Sequence, residues 1–180
     1  MAEEKEKWLT FLALTTVLIA VCATLATFKG GGYSTKSILN QSRASDQWAY
    51  FEAKGIKSYM YELQRDKLQL DLDLNKKDKL SDKVTDEFQD KIDYYSKNIK
   101  RYKAEKDSIQ IVAKGFEDAR DENKKHSEVF GIAVIFLQVS ILLSSISALL
   151  KKKYIWLLSL CIAAVGIFYF IDGFLLFYLV

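Results

Sequence analysis

The stretch Val129–Leu150, VFGIAVIFLQVSILLSSISALL, decides the fold because it carries no charged residue. A helix needs about 20 predominantly apolar residues to cross the hydrocarbon core of a bilayer, and this stretch is long enough. Two more stretches have the same character: Trp8–Phe28, WLTFLALTTVLIAVCATLATF, and Tyr154–Val180, whose only charge is Asp172. Soluble core helices rarely run so far without a charge. The sequence therefore predicts three membrane-spanning helices.

The first span is interpreted as a retained anchor rather than a cleaved signal peptide. Residues 1–7 form a short segment before it, with Lys5 and Lys7 on its amino-terminal side. The apolar run that follows is longer than the usual core of a signal peptide.

Most of the charge lies in the segment 29–128. The whole chain has 26 Lys and Arg residues against 23 Asp and Glu residues, and the two signs are nearly balanced within this segment. Such a balance argues against nucleic-acid binding, which needs a net positive surface. Proline is absent from the chain, so long uninterrupted helices are allowed. Only Gly30–Gly32 is expected to break or hinge the helix that leaves the first span.

Segment 29–128 is predicted to be an antiparallel helical hairpin whose chain reverses near residues 75–83. Apolar residues recur at steps of three and four, which is typical of a coiled-coil seam. The predicted seam contains Trp48, Phe51, Gly55 or Ile56, Tyr59 and Leu63 on the first helix, and Phe88, Ile92, Tyr95, Ile99, Tyr102, Ile109, Ala113 and Phe116 on the second. In the stretch 68–74, Leu alternates with polar residues, and we interpret it as the frayed or oligomer-packed end of the first helix. The predicted fold class is all-α, with a coiled-coil hairpin inserted between the first and second of three transmembrane helices.

The loop 151–153 is predicted to set the orientation in the membrane. Lys151, Lys152 and Lys153 fill it, and Lys and Arg are enriched in cytoplasmic loops. Placing this loop in the cytoplasm puts the N-terminus inside and the hairpin outside. Basic residues at both ends of the hairpin, such as Lys29 and Lys125, favour the opposite orientation, but long polar segments translocate largely regardless of charge.

Aromatic residues on the hairpin predict self-assembly. A two-helix hairpin hides only a narrow seam, so the surplus of exposed aromatic side chains favours burial against a second copy or another protein. The alternative is a solvated, partly apolar face. The candidate assembly or partner surface contains Asp46, Gln47, Trp48, Tyr50, Phe51, Tyr59, Tyr94, Tyr95 and Tyr102, and Tyr61 is a further aromatic on the same helices.

Polar and small residues within the spans have two interpretations. Gln138, Ser140, Ser144 and Asp172 either line a polar path or make hydrogen bonds between helices. We interpret Asp172 as lying in the outer interface, because the third span exceeds the length that a core of about 30 Å requires. Small residues at heptad-like spacing predict close packing of the spans; they are Ala13, Thr16, Ala20, Ala23, Thr27, Ser140, Ser144, Ser147, Ala148, Ser159, Ala163, Gly166 and Gly173.

No catalytic chemistry and no cofactor are predicted. Carboxylate pairs such as Asp71 and Asp73 lie among lysines on a helical surface, where no pocket is expected to shift their pKa values. Gly30–Gly32 lacks the Lys-Ser/Thr that completes a phosphate-binding loop. Two Cys and one His are too few for a structural zinc site or a disulfide framework.

The stretch Ala44–Leu63, ASDQWAYFEAKGIKSYMYEL, resembles the bacterial domain-of-unknown-function 4337 family of small membrane proteins. The layout of one span, a charged helical middle and two spans joined by a basic loop also matches. The specific residues are Ser45, Asp46, Gln47, Trp48, Ala49, Tyr50, Ala53 and Lys54. The resemblance implies a protein of the bacterial inner membrane, with the hairpin in the periplasm under the orientation above, and it implies no activity.

The expected function is therefore structural. We expect a self-assembling, membrane-anchored coiled-coil protein that acts as a structural or scaffolding component of the envelope. Its expected partners are membrane lipid, further copies of itself and other envelope proteins. The alternative is a subunit of an oligomeric channel or transport complex.

Overall fold

The computed structural model describes the backbone of residues 2–75 and 82–176, with the side chains of residues 7–74 and 83–176. These residues form three helices: α1, Ala2–Asn75; α2, Asp82–Leu150; and α3, Lys153–Leu175. The predicted all-α class is confirmed. The predicted chain reversal near residues 75–83 falls largely outside the described residues.

The chain divides into two compact units, and α1 and α2 contribute to both. Unit 1 contains Met1–Leu39 and Ala119–Val180, and unit 2 contains Asn40–Asp118. The apolar stretches of α1, α2 and α3 are each long and apolar enough, by length and composition, to cross a membrane. Phe11, Leu18 and Leu142 are examples of large apolar side chains that unit 1 leaves more than half exposed. Such surfaces are expected where helices face lipid rather than water.

Small residues bring the helices of unit 1 together, as the sequence predicts for the second and third spans. Ser140, Ser144 and Ser147 of α2 are fully buried. On α3 the buried residues are Ser159, Ala163, Gly166, Asp172 and Gly173. The first span is predicted less well, since Ala23 is buried but Ala13 and Thr27 are exposed. The larger Leu12 and Ile19 occupy the inner face of α1 instead.

The prediction of a break at Gly30–Gly32 is wrong, because α1 runs through all three glycines as a helix. Gly30 is buried, and a Cβ built there would lie 2.9 Å from the Cβ of Phe130 on α2. A Cβ at Gly31 or Gly32 would meet nothing within 4 Å. Gly30 therefore allows close approach of two helices rather than a turn.

A residue in the left-handed backbone conformation follows the last residue of both α2 and α3. Lys151 has φ 51°, and the Lys152 N–H donates to the Ser147 carbonyl at 3.3 Å, the bond that closes a Schellman motif. Leu176 has φ 48°, and its N–H donates to the Asp172 carbonyl at 2.7 Å. α3 therefore ends at Leu175, and residues 177–180 of the predicted third span lie outside the described residues.

In unit 2, α1 and α2 pack against each other in antiparallel directions. Trp48 of α1 contacts Glu117 of α2, and Tyr61, further along α1, contacts Tyr95, which comes earlier in α2. The predicted seam of α2 is confirmed, since all eight of its residues are buried or half-buried: Phe88, Ile92, Tyr95, Ile99, Tyr102, Ile109, Ala113 and Phe116.

The predicted seam of α1 is correct as far as Phe51 and wrong beyond Gly55. The buried positions continue through Gly55 and Ser58, whereas Tyr59 and Leu63 are 69% and 71% exposed. The small size of Gly55 and Ser58 lets α2 approach α1 closely. A Cβ added at Gly55 would lie 3.3 Å from the Lys106 ammonium of α2. The stretch 68–74 is helical, with Leu70 and Leu74 exposed and the other two leucines half-buried.

Candidate functional site

Two of the predicted surface residues are used to pack α1 against α2. The Trp48 indole N–H donates to the Glu117 carboxylate at 2.9 Å, and the Phe51 ring meets the Trp48 ring edge-on at 5.4 Å. The Lys106 ammonium lies 4.3 Å from the centre of the Phe51 ring, a favourable cation–π distance. Both aromatic residues are half-buried, so they are parts of the seam more than of an open surface. The neighbouring members of the predicted surface differ in exposure: Asp46 and Tyr50 are exposed, and Gln47 is half-buried.

An ion pair between α1 and α2 lies beside two tyrosine rings. The Lys54 ammonium lies 2.6 Å from the Glu105 carboxylate, and the Tyr50 and Tyr102 rings lie 5.0 and 5.3 Å from that ammonium. The hydrogen bond to Glu105 raises the pKa of Lys54. The same bond lowers the pKa of Glu105. Both groups are therefore held in their charged forms.

Four tyrosines form a cluster next to this pair, defined here as the tyrosine cluster: Tyr61, Tyr94, Tyr95 and Tyr102. The Tyr61 ring lies at its centre, with ring centroids 6.4, 5.7 and 5.7 Å from those of the other three in that order. Burial raises the pKa of the Tyr61 phenol, and the neighbouring Tyr94 and Tyr102 add to the effect. The structure thus brings three predicted site residues together around Tyr61, which the predicted surface did not contain.

A row of exposed side chains, all apolar except Lys67, lies on a different face of α1 from the seam and was not recognised as a surface from the sequence. We define it as the exposed stripe, which consists of Ala49, Ala53, Ile56, Met60, Leu63, Lys67, Leu70 and Leu74. Its five large apolar members are 57–71% exposed. Tyr59, a predicted site residue, lies beside the stripe. A shallow open groove borders it, lined by Lys57, Met60, Tyr61, Gln64 and Tyr102.

The predicted polar residues of the second span separate into two groups. The Ser140 hydroxyl donates to the Ser159 carbonyl at 2.8 Å. The Ser159 hydroxyl donates to the Trp156 carbonyl at 2.7 Å, so it accepts the bond from the Ser144 hydroxyl at 2.9 Å. These buried serines make the bonds between helices that the sequence offered as one of two interpretations. Gln138 is exposed and lies outside this network.

His126 tethers α2 to the last turn of α3. Its Nδ1–H donates to the Gly173 carbonyl at 2.7 Å, and its ring stacks on the Tyr33 ring of α1 at 4.5 Å. That carbonyl is one of the last four of α3, which lack partners within the helix. The preceding residue, Asp172, is 3% exposed. The lone His of the chain therefore joins all three helices of unit 1.

The Lys triplet lies beside a group of aromatic rings in unit 1. Lys151, Lys152 and Lys153 are exposed. The Lys153 ammonium lies 6.0 Å from the Trp8 ring centre, and the Trp8 and Trp156 rings lie 6.4 Å apart. Trp and Lys side chains together are typical of the ends of membrane spans.

A family model supplies the only assignment that comparison gives. It is described as a domain of unknown function, DUF4337, and it matches residues 8–176. The chain belongs to this family. The resemblance drawn from Ala44–Leu63 is therefore confirmed, and the match extends through all three helices. No curated protein and no solved structure matches the chain.

Membership of DUF4337 assigns no activity, so function has to be argued from surfaces and packing. Among the residues whose side chains are described, no group of three His, Cys, Asp or Glu residues is placed to hold a metal ion. The features of this DUF4337 chain that call for a function are the exposed stripe and the tyrosine cluster of unit 2, together with the apolar exterior of unit 1.

Proposed function

We propose that the protein is a self-assembling, membrane-anchored helical protein that acts as a structural or scaffolding component of the bacterial envelope. Unit 1 anchors it in the inner membrane, where its apolar exterior meets lipid. Unit 2 lies on the periplasmic side and associates with unit 2 of further copies and with other envelope proteins.

The observation that carries the proposal is the coexistence of charge and exposed apolar surface in unit 2. Ile56, Met60 and Leu63 are more than half exposed, although most of the charged residues of the chain surround them in sequence. Soluble surfaces rarely expose a continuous apolar patch unless it binds a partner. The described grooves are shallow and open, so they favour association between helices over enclosure of a small substrate.

The size of the purified protein in mild detergent tests the proposal. Light scattering coupled to chromatography, corrected for bound detergent, should give a multiple of the 20.7 kDa monomer. Cross-linking in intact membranes should give the same stoichiometry. A monomer in both measurements would contradict self-assembly.

The proposed orientation has a separate test. Replacing Lys151 by Asn and both Lys152 and Lys153 by Gln removes the charges, while Asn tolerates the left-handed backbone of position 151. A fusion at Lys77 that reports periplasmic location should be active in the natural protein and lose activity in the triple variant. Activity of a cytoplasmic reporter at Lys77 in the natural protein would reverse the proposed orientation.

Exposure of Gln138 favours a second candidate, a subunit of an oligomeric channel. A polar side chain on the outside of a membrane span is costly in lipid, and a pore between copies would give it water. Conductance across a planar bilayer that is lost in Gln138→Leu, but kept in Val139→Leu, would support this candidate. Bilayers that stay silent with the natural protein would reject it.

A further inference from the structure

The exposed stripe has the period of a second coiled-coil seam. Its members follow one another in alternating steps of four and three from Ala49 to Leu74. In heptad terms, Ala49, Ile56, Leu63 and Leu70 occupy position d, and Ala53, Met60, Lys67 and Leu74 occupy position a. None of these residues lies on the face that packs against α2, where Gly55 and Ser58 are buried.

We propose that the exposed stripe binds the same stripe of a second copy, so that two α1 helices pair in parallel and in register. This inference rests on the proposed self-assembly and adds the surface, the direction and the register. Copies anchored in one membrane with one orientation present their α1 helices in the same direction, which favours parallel pairing. The five large apolar side chains offer on the order of 500 Å² per copy, to which the flanking residues add, against about 800 Å² per partner in a standard interface.

Glu52 and Lys57, which flank the stripe, have complementary charges in the parallel register. Glu52 at position g faces Lys57 at position e of the other copy, and both residues are exposed. In the antiparallel register these residues do not meet in this way. The pairing therefore predicts two symmetric ion pairs.

Lys67 identifies the register within the apolar seam. A single Lys at position a weakens a coiled coil but specifies its alignment. In the parallel pair its ammonium lies next to Asp66 of the other copy, which offsets part of the desolvation. Asp66 also faces Asp71 of the other copy, a like-charge contact, and Arg65 moderates it because its guanidinium lies 2.7 Å from the Asp66 carboxylate.

Single cysteines test the direction of pairing. In a background where Cys22 and Cys161 are Ala, Ile56→Cys and Leu70→Cys should each form a disulfide with the same position of another copy under mild oxidation. An antiparallel pair centred on Leu63 would join position 56 to position 70 and leave each single variant unlinked. Ile111→Cys is the matched control, since Ile111 of α2 is 74% exposed and lies outside the stripe.

Charge exchange tests the register independently. Glu52→Lys and Lys57→Glu should each weaken dimerisation by about 3- to 10-fold, and the double exchange should restore it. An oligomer of natural size in which neither stripe cysteine cross-links, or in which Ile111→Cys cross-links equally well, would overturn this inference and leave the proposed self-assembly standing. A monomeric natural protein would overturn both.

Discussion

A methyl group added at Gly30 would lie 2.9 Å from the Cβ of Phe130, a side chain with no exposed surface. The contacted atom is bound directly to the backbone of α2, so the two helices have to separate. Overpacking of this kind costs about 1–3 kcal/mol, and alanine returns about 1 kcal/mol of helix propensity. We therefore expect Gly30→Ala to destabilise unit 1 by up to about 2 kcal/mol. Gly31→Ala meets nothing within 4 Å and should stabilise α1 by about 0.5–1 kcal/mol.

Thermal unfolding in detergent, followed by circular dichroism, measures this contrast. The expected melting temperatures differ by about 5 °C, with Gly30→Ala below the natural protein and Gly31→Ala above it. Equal melting temperatures for the two variants would refute the close packing at Gly30.

Gly173 provides a second comparison against the same Phe130. A Cβ at Gly173 would lie 2.9 Å from a ring carbon of Phe130, whereas at Gly30 the contact is with the Cβ. Phe130→Leu removes ring atoms and keeps the Cβ. It should therefore relieve Gly173→Ala and leave Gly30→Ala unrelieved, which a double-mutant cycle measures as coupling in the first pair alone.

Three further perturbations follow from the contacts described. Glu105→Gln should make the free energy of unfolding less sensitive to acid. Because the pKa of Glu105 is lowered in the folded protein, the carboxylate stabilises the fold above its ordinary pKa, and this stabilisation is lost as the pH falls through the lowered pKa. Denaturation measured from pH 7 to pH 3 should therefore show the stabilities of the variant and the natural protein converging. His126→Ala should cost about 1–2 kcal/mol in thermal unfolding because it removes the bond to the Gly173 carbonyl, and His126→Gln, which keeps an N–H donor, should recover part of this. Ser159→Ala removes the acceptor of the Ser144 hydroxyl and should cost about 1 kcal/mol in the same assay, whereas Ser145→Ala, on the exposed face, should cost almost nothing.

The sequence predicts the seam of α2 because every seam position there has a residue that fits it. Phe88, Ile92, Ile99 and Tyr102 follow one another at a regular period, and no competing apolar row runs beside them. Burial of apolar surface therefore selects one face of the helix.

The seam of α1 is predicted poorly because two apolar rows run side by side. Both Gly55 and Ile56 fit the spacing of the seam, and from the sequence the larger Ile56 is the better candidate for the core. The structure instead buries Gly55 and Ser58, because their small size lets α2 pack closely against α1. Apolar periodicity identifies a face that avoids water, but it does not say whether α2 or another molecule covers that face. The misread residues belong to the exposed stripe or lie beside it.

Glycine and histidine show the same limit in unit 1. Gly30–Gly32 was expected to break a helix on propensity alone, and packing of Gly30 against Phe130 outweighs the propensity cost. The bond from His126 to the Gly173 carbonyl joins residues far apart in the chain. A contact between residues so far apart in the chain cannot be predicted from a local sequence pattern.

The central claim, that lipid is the solvent of unit 1, is tested most directly by spin labels at two exposed positions. Leu18 in unit 1 and Ile111 in unit 2 are 58% and 74% exposed. A label introduced as Leu18→Cys or Ile111→Cys therefore lies on the protein surface and contacts the surrounding medium, whether lipid or water. In liposomes, with Cys22 and Cys161 replaced by Ala, the label at position 18 should collide with oxygen and be shielded from a water-soluble nickel complex. The label at position 111 should show the reverse. Equal access of the nickel complex to both labels would contradict the account.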